Sequence, residues 1–378
     1  MTNAVRVGLI GSGFMGKAHA WGYRNVGAVF RMPVQPVLEL LADATAELAA
    51  SAARDLGFAR STGNWRELVA DPKIDIVNIA TPPQLHAEMA LAAAAAGKHI
   101  YCEKPMAPNA AIAKQMLDAA EKAGVKTQMG FNYLKNPIIA LAREIIESGE
   151  IGDIVSFRGI HAEDYMADAA TPWHWRLDPA IGGGVVQDLG SHIIAMARHL
   201  VGPISQVCGQ LETVVKKRPV SAGSSETRPV EVDDIARAMV RFARGCSGTL
   251  EASWVSSGRK MQIEFEVVGS RGALHFNQER FNELRLYESS GTSSRNGFRT
   301  ILAGPEHPPY GAFCPAPGHQ LGFNDLKTIE VRDFLLAVAG EPVVGPDFRE
   351  GWEVQKVVDA ISRSSRERSW VAVDQTSL

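Results

Sequence analysis

A lysine held between an acid and a proline, and an aspartate four residues ahead of a histidine, are the residues here whose types and spacing suit proton transfer. Glu103-Lys104-Pro105 directly follows the apolar run His99–Cys102. Pro105 cannot extend a strand's donor ladder, so the chain exits sharply and presents Lys104 at the strand's carboxyl end. Burial beside a positive charge would draw the ammonium pKa down towards values useful for proton transfer. In the second half, Gly182-Gly183-Gly184 opens a helical stretch, Val185–Val201, that carries Asp188 and His192. Four residues apart, they project from one helical face, and an acid beside an imidazole can act as a proton acceptor with its orienting group. The same two residues also read as a helix cap and a satisfied core histidine. His199, further along, is assigned a structural role.

A second constellation binds rather than reacts. The run Val5–Ile10 leads into Gly11-Ser12-Gly13-Phe14-Met15-Gly16, a G-x-G-x-x-G at the start of a helix. The first glycine allows the tight turn, the second admits a pyrophosphate to the backbone, and the third lets helix and strand pack closely. The helix N-terminus then faces the anion with unpaired N–H groups. An acid at the end of the next strand should hold the adenosine ribose, and Asp43 after Val37–Ala42 fits. It stands 32 positions after Gly11 rather than about 20. The excess is read as a loop extension over Gly27–Pro36, and a local turn or cap is the other reading of Asp43. Ligands of open α/β sheets sit beyond the carboxyl ends of the strands, which also draws attention to Ala80-Thr81-Pro82-Pro83-Gln84-Leu85-His86 after Ile74–Ile79.

The elements that must position these residues follow from periodicity. Val5–Ile10, Val37–Ala42, Ile74–Ile79, His99–Cys102 and Thr127–Phe131 read as buried parallel strands. Phe14–Asn25, Thr45–Leu56, Leu85–Ala96, Ala110–Ala123 and Pro137–Ser148 read as the covering helices, and Asn64-Trp65-Arg66-Glu67 as a capping box for a short one. After Gly149 the pattern shifts to period two, as in Ala236–Phe242 and Ile263–Val267, predicting an antiparallel sheet with one polar or partner-covered face. Residues 289–324 read as a long loop, and Asp325–Ala339 and Phe348–Arg366 as closing helices. The organisation expected is α/β over 1–136 and α+β over 137–378, with the C-terminal helices packing back on the first domain.

Composition narrows the function classes. Lys and Arg number 39 against 42 Asp and Glu, a formal charge of −3, which gives no broad cationic surface for nucleic acid. The apolar runs fall short of the ~20 residues of a membrane span, and no leader pattern opens the chain, so no membrane role and a cytoplasmic place are expected. Four scattered cysteines and the absence of ligand spacing predict free thiols and no metal.

The ordered series Gly11–Gly16, Thr81-Pro82, Glu103-Lys104-Pro105, Gly130-Phe131-Asn132-Tyr133 and Asp188-x-x-x-His192 resembles the Gfo/Idh/MocA family of nicotinamide-dependent oxidoreductases over nearly the whole chain. The resemblance implies an N-terminal Rossmann domain holding NAD, with NADP the alternative, and a C-terminal α+β domain with an open, mainly antiparallel sheet and the substrate pocket. It places Lys104, Asp188 and His192 at the reacting carbon of a sugar or cyclitol alcohol. His192 would accept the hydroxyl proton and Lys104 hydrogen-bond the same oxygen, with the division of the proton left open. Cofactor contacts are expected from Gly11, Gly13, Phe14, Met15, Gly16, Asp43, Thr81, Pro82, His86, Glu103, Lys104 and Asn132. Substrate contacts are expected from Lys104, Tyr165, Trp173, Arg176, Asp188 and His192, although Trp173 and Trp175 also read as packing residues. Pro83 and Leu134 depart from the family's usual Asn and Arg. A glycosidase using tightly bound NAD and a non-catalytic cofactor-binding regulator are the competing functions. The sheet's unpaired face predicts a homodimer or homotetramer.

Overall fold

The computed structural model describes residues 3–289 and 293–374. The chain folds as two compact units, one made of residues 1–135 with 321–353 and the other of 136–320 with 354–378.

The first unit is a six-stranded sheet, its β1 to β6 being Asn3–Ile10, Val34–Ala42, Arg60–Thr62, Ile76–Ile79, His99–Cys102 and Thr127–Met129. All neighbours are parallel, and the order β3-β2-β1-β4-β5-β6 is that of the doubly wound dinucleotide-binding fold. The first five helices, α1 to α5, are Phe14–Val29, Ala46–Leu56, Trp65–Ala70, His86–Ala95 and Ala110–Ala123. The order reverses between β1 and β4, so the ligand crevice of such a fold lies beyond Ile10 and Ile79. Val5, Val7, Val26, Ile76, Val331 and Phe334 form one buried cluster of this unit.

Two local expectations are corrected. The excess length before Asp43 is not a loop over Gly27–Pro36: α1 runs to Val29, and Pro36 lies inside β2, paired with Val5. On its other side β2 meets β3 only at Leu40–Ala42, so Pro36 stands where no donor is needed. At α3, Asn64 caps Arg66 N–H, but its own N–H goes to Thr62 Oγ1, so the reciprocal half of the capping box is replaced by a turn contact.

The second unit opens with α6, Pro137–Glu147, and is built on a mainly antiparallel nine-stranded sheet. Its strands are β7 Ile154–Ala162, β8 Ile204–Glu212, β11 Ile235–Phe242, β12 Ser247–Ser253, β13 Gln262–Gly269, β14 Gly272–Asn277, β15 Glu283–Glu288, β16 Arg299–Leu302 and β17 Val371–Ala372. The separate two-stranded hairpin is β9 Lys217–Pro219 with β10 Thr227–Pro229. Among the described residues, β7 and β12 are the one pair in the large sheet that runs parallel. In β11 the residues Ala236, Ala238, Val240 and Phe242 are buried while Arg237, Met239 and Arg241 are exposed, the alternation that covers one face. The expected helix Val185–Val201 contains a π-helical turn, Val186–Gly190, before α7, Ser191–Val201. The stretch 289–324 is not all loop: β16 pairs with β15, and α8, Tyr310–Phe313, follows. The closing helices are α9, Phe323–Val338, and α10, Phe348–Glu367. Among the described residues no helix is long and apolar enough to cross a membrane.

Candidate active site

The glycines after β1 differ in what surrounds them. Gly11 has φ +93°, and a Cβ there would lie 2.8 Å from the Ala80 carbonyl oxygen. A Cβ on Gly16 would lie 2.1 Å from the Gly11 carbonyl oxygen, whereas at Gly13 it would meet nothing within 4 Å. Turn, close packing and open approach are the three properties a pyrophosphate cradle needs, and no side chain of Gly13 caps α1. Asp43, at the end of β2, accepts hydrogen bonds from Ser12 N (2.9 Å) and Ser12 Oγ (2.5 Å), so its carboxylate borders the cradle. Phe14 is 72 % exposed and stacks on Phe323 with ring centroids 5.4 Å apart. Met15 is half-buried beside it. Asn132 is buried, and its Nδ2 has no hydrogen-bond partner among the described residues, a donor left over for a ligand. These features fit a dinucleotide.

Behind this rim lies a strut. His86 is 1 % exposed, with Nδ1 3.0 Å from the Pro105 carbonyl and Nε2 2.8 Å from the Thr81 carbonyl. It ties the Thr81-Pro82 loop to the Lys104 turn, and burial pushes its pKa down, opposed by these backbone contacts. Its place is thus that of a brace behind the two loops. Lys104 is half-buried at the carboxyl end of β5.

Glu103, in contrast, faces inward and is 4 % exposed. Its Oε1 accepts from His19 Nε2 (2.8 Å) and Lys327 Nζ (2.7 Å), and its Oε2 accepts from Lys104 N (3.2 Å). Burial raises the Glu103 carboxyl pKa, but the Lys327 ammonium and the His19 hydrogen bond outweigh it and hold the group well below the usual range. Burial lowers His19 to about 4. Gly130 leaves room for this arrangement, since a Cβ on it would lie 2.5 Å from Glu103 Oε1. His19 and Lys327 were not among the expected site residues. Lys327 and Glu330, three apart in α9 on the stripe that continues to the buried Phe334, were the available signal.

In the second unit Asp188 and His192 are both buried, Asp188 within the π-helical turn and His192 in α7. The regular i, i+4 face expected for them is therefore widened by an i→i+5 turn, a distortion frequent at functional sites. Asp188 Oδ2 accepts from Tyr165 Oη and from Arg176 Nε, each at 2.9 Å. The structure thus brings together three of the expected substrate-side residues. His161, at the end of β7, has Nδ1 3.0 Å from the Leu189 carbonyl and Nε2 3.0 Å from Glu163 Oε1. Its ring stands edge-on to His192 with centroids 5.5 Å apart. Trp173 packs instead: its N donates to Pro219 O (2.8 Å), its Nε1 to Pro229 O (3.2 Å), and the Arg228 guanidinium lies 3.6 Å from its ring centroid. The β9–β10 hairpin thus anchors the loop, aided by Arg218, which is 0 % exposed and donates to the Met166 and Asp168 carbonyls.

A doubly wound sheet with a glycine cradle and a second, sheet-based unit defines an NAD-binding oxidoreductase of two-domain type. The chain belongs to the Gfo/Idh/MocA family: the family model for the oxidoreductase NAD-binding Rossmann fold matches residues 5–131, and that for the GFO/IDH/MocA C-terminal domain matches 139–275. It is 43 % identical to levoglucosan dehydrogenase of Pseudarthrobacter phenanthrenivorans over 386 residues, covering 99 % of each chain. It is 32 % identical to 1,5-anhydro-D-fructose reductase of Ensifer adhaerens over 71 % of this chain and 74 % of that one. A solved structure of levoglucosan dehydrogenase in complex with NADH and levoglucosan superposes with a TM-score of 0.95 at 43 % identity, covering 99 % of this chain and 100 % of that one.

Proposed function

We propose that this enzyme oxidises a secondary alcohol of a sugar or anhydrosugar, with levoglucosan the first candidate. The observation that carries the reading is the likeness to levoglucosan dehydrogenase along 99 % of both chains. Bound NAD supplies the hydride acceptor. Gly11, Gly13 and Gly16 would hold its pyrophosphate, Asp43 would accept from its ribose hydroxyls, and Asn132 would offer its Nδ2 donor. His192 is the proposed acceptor of the hydroxyl proton and Lys104 a proposed hydrogen-bond donor to the alcohol, with the division of the proton between them left to kinetics. Asp188 holds Tyr165 and Arg176 together, so that a phenol and a guanidinium are fixed to meet sugar hydroxyls. The two units correspond to a dinucleotide domain and a substrate domain, with α9 contributed to the former.

We place the enzyme in the cytoplasm, a reading supported by four free cysteines. We also propose a homodimer or homotetramer formed through the sheet face that carries Arg158, Arg237, Met239, Glu251, Glu264 and Glu266.

The test follows reduced nicotinamide absorbance with NAD, then NADP, against levoglucosan, inositols, aldoses and glycosides. Signal with levoglucosan that is lost by several powers of ten in Lys104→Met, with NAD affinity retained, is expected. Near-normal turnover in that variant would remove Lys104 from the chemistry. Glycoside cleavage without accumulation of reduced cofactor would replace the dehydrogenase reading by a glycosidase.

A further inference from the structure

Behind the Lys104 turn the first unit buries a set of charges centred on α9. Lys327 on α9 is 0 % exposed, and its ammonium reaches three oxygens: Glu103 Oε1 at 2.7 Å, Glu330 Oε2 at 2.7 Å and Tyr101 Oη at 3.1 Å. Three donors and three acceptors saturate the group. Tyr101 Oη donates in turn to Glu330 Oε2. An ionised carboxylate only accepts, so His19 Nε2 carries the proton it shares with Glu103, which leaves His19 Nδ1 bare and, in the structure, unpartnered. The same few side chains join α1, which leaves the glycine cradle, β5, which ends at Lys104, and α9, contributed from beyond residue 320.

The rest of this layer shows that the charges are not needed to fill it. Val5, Val7, Val26, Ile76, Val331, Phe334 and Leu335 pack the adjoining space with apolar side chains. Buried ion triads are commonly no more stable than apolar groups of the same volume, so a fully buried Lys327 with two carboxylates requires another explanation. Its outlet is specific: Glu103 passes the contact on, through Oε2, to the backbone N–H of Lys104. Glu103 is held in place because His19 and Lys327 grip one oxygen, and the absence of a Cβ on Gly130 leaves the carboxylate the room it occupies.

We propose that Lys327 is a positioning residue for the reaction: acting through Glu103, it fixes the backbone of Lys104 and so aims the lysine's ammonium. This rests on the dehydrogenase reading for its kinetic consequence but not for its structural one. Lys327→Met in the full chain should lower kcat by about a hundredfold, the scale of a misplacement near 1 Å, with KM for the alcohol changed much less. NADH affinity, read by fluorescence titration, should stay within about threefold, since no cradle residue is touched. Glu103→Gln should lower kcat similarly, and the double variant should be no worse than the worse single, because both act through one contact. Hydrogen exchange read by mass spectrometry should speed at the peptide carrying the Lys104 amide by about tenfold beyond any global change. If Lys327→Met does not fold, the charge-matched Lys327→Met, Glu330→Gln pair removes one cation and one anion and replaces it in every measurement. Independent, multiplying losses in the double variant, or unchanged exchange at Lys104, would overturn the proposal. A wild-type enzyme silent on every alcohol would remove the dehydrogenase reading alone, and the exchange measurement would still decide whether Lys327 holds Lys104.

Discussion

At the residue scale, Asp43 is the side chain on which cofactor choice can be tested. Its carboxylate borders the glycine cradle through both the N–H and the hydroxyl of Ser12, where a ribose hydroxyl can donate to it and a 2′-phosphate would be repelled. Asp43→Ser should raise the NAD KM by about tenfold and improve kcat/KM for NADP relative to NAD by about a hundredfold, the repulsion between one carboxylate and the 2′-phosphate being relieved in a partly screened site. Steady-state kinetics with both cofactors measures this, and an unchanged NADP-to-NAD ratio would leave Asp43 as a turn residue. At this scale the reactive candidates were legible because each follows a strand or opens a helix, where chain geometry alone marks it. Lys327 was legible only as a lysine on the apolar stripe of α9, not as a partner of Glu103, which is 224 residues away in the chain.

At the scale of elements, the support of the Asp188 helix depends on an acid outside it. Asp233, just before β11, accepts from Val186 N at 2.8 Å, and a Cβ on Gly184 (φ +116°) would lie 2.4 Å from its Oδ1. Burial, opposed by the backbone hydrogen bonds and aided by Asp234, pushes the Asp233 carboxyl up to about 6 from 3.8. Between these values the unfolded chain has released the proton and the folded chain still holds it, so folding stability falls as pH rises through that window and is level above it. The full gap is worth about 3 kcal/mol. Asp233→Asn keeps an acceptor for Val186 and removes the charge, so its Tm relative to wild type should rise between pH 4 and pH 7. Parallel curves for the two proteins across that range would contradict the burial of a charge there. The βα units of the first half were legible because their periods are local. The π-helical turn was not, since its apolar pattern matches an α-helix, and β16 was not, since its mostly exposed residues gain a strand only by pairing with β15.

At the scale of the whole molecule, the nine-stranded sheet presents a face whose strand residues Arg158, Arg237, Met239, Glu251, Glu264 and Glu266 line one broad depression. The six-stranded order is one of the few that successive parallel βα units allow. The nine-stranded order rests on non-local pairings, among them the parallel β7–β12 contact, that no single segment encodes. On its outer face Arg237 lies across from Glu251 in register and within 3.5 Å of it, Arg158 within 3.2 Å of Glu266, and Met239 is 50 % exposed among them. Exposed ion pairs add about 0–1 kcal/mol each and do not by themselves require such a face. A second copy would desolvate them, bury Met239 and remove the exposed surface. Light scattering should therefore give a mass that is a multiple of the 40.8 kDa chain, and Met239→Glu should lower it by placing a new charge in the contact. A wild-type mass of one chain at every concentration would show the face open to solvent, whereas an oligomer indifferent to Met239→Glu would move the contact elsewhere on the molecule.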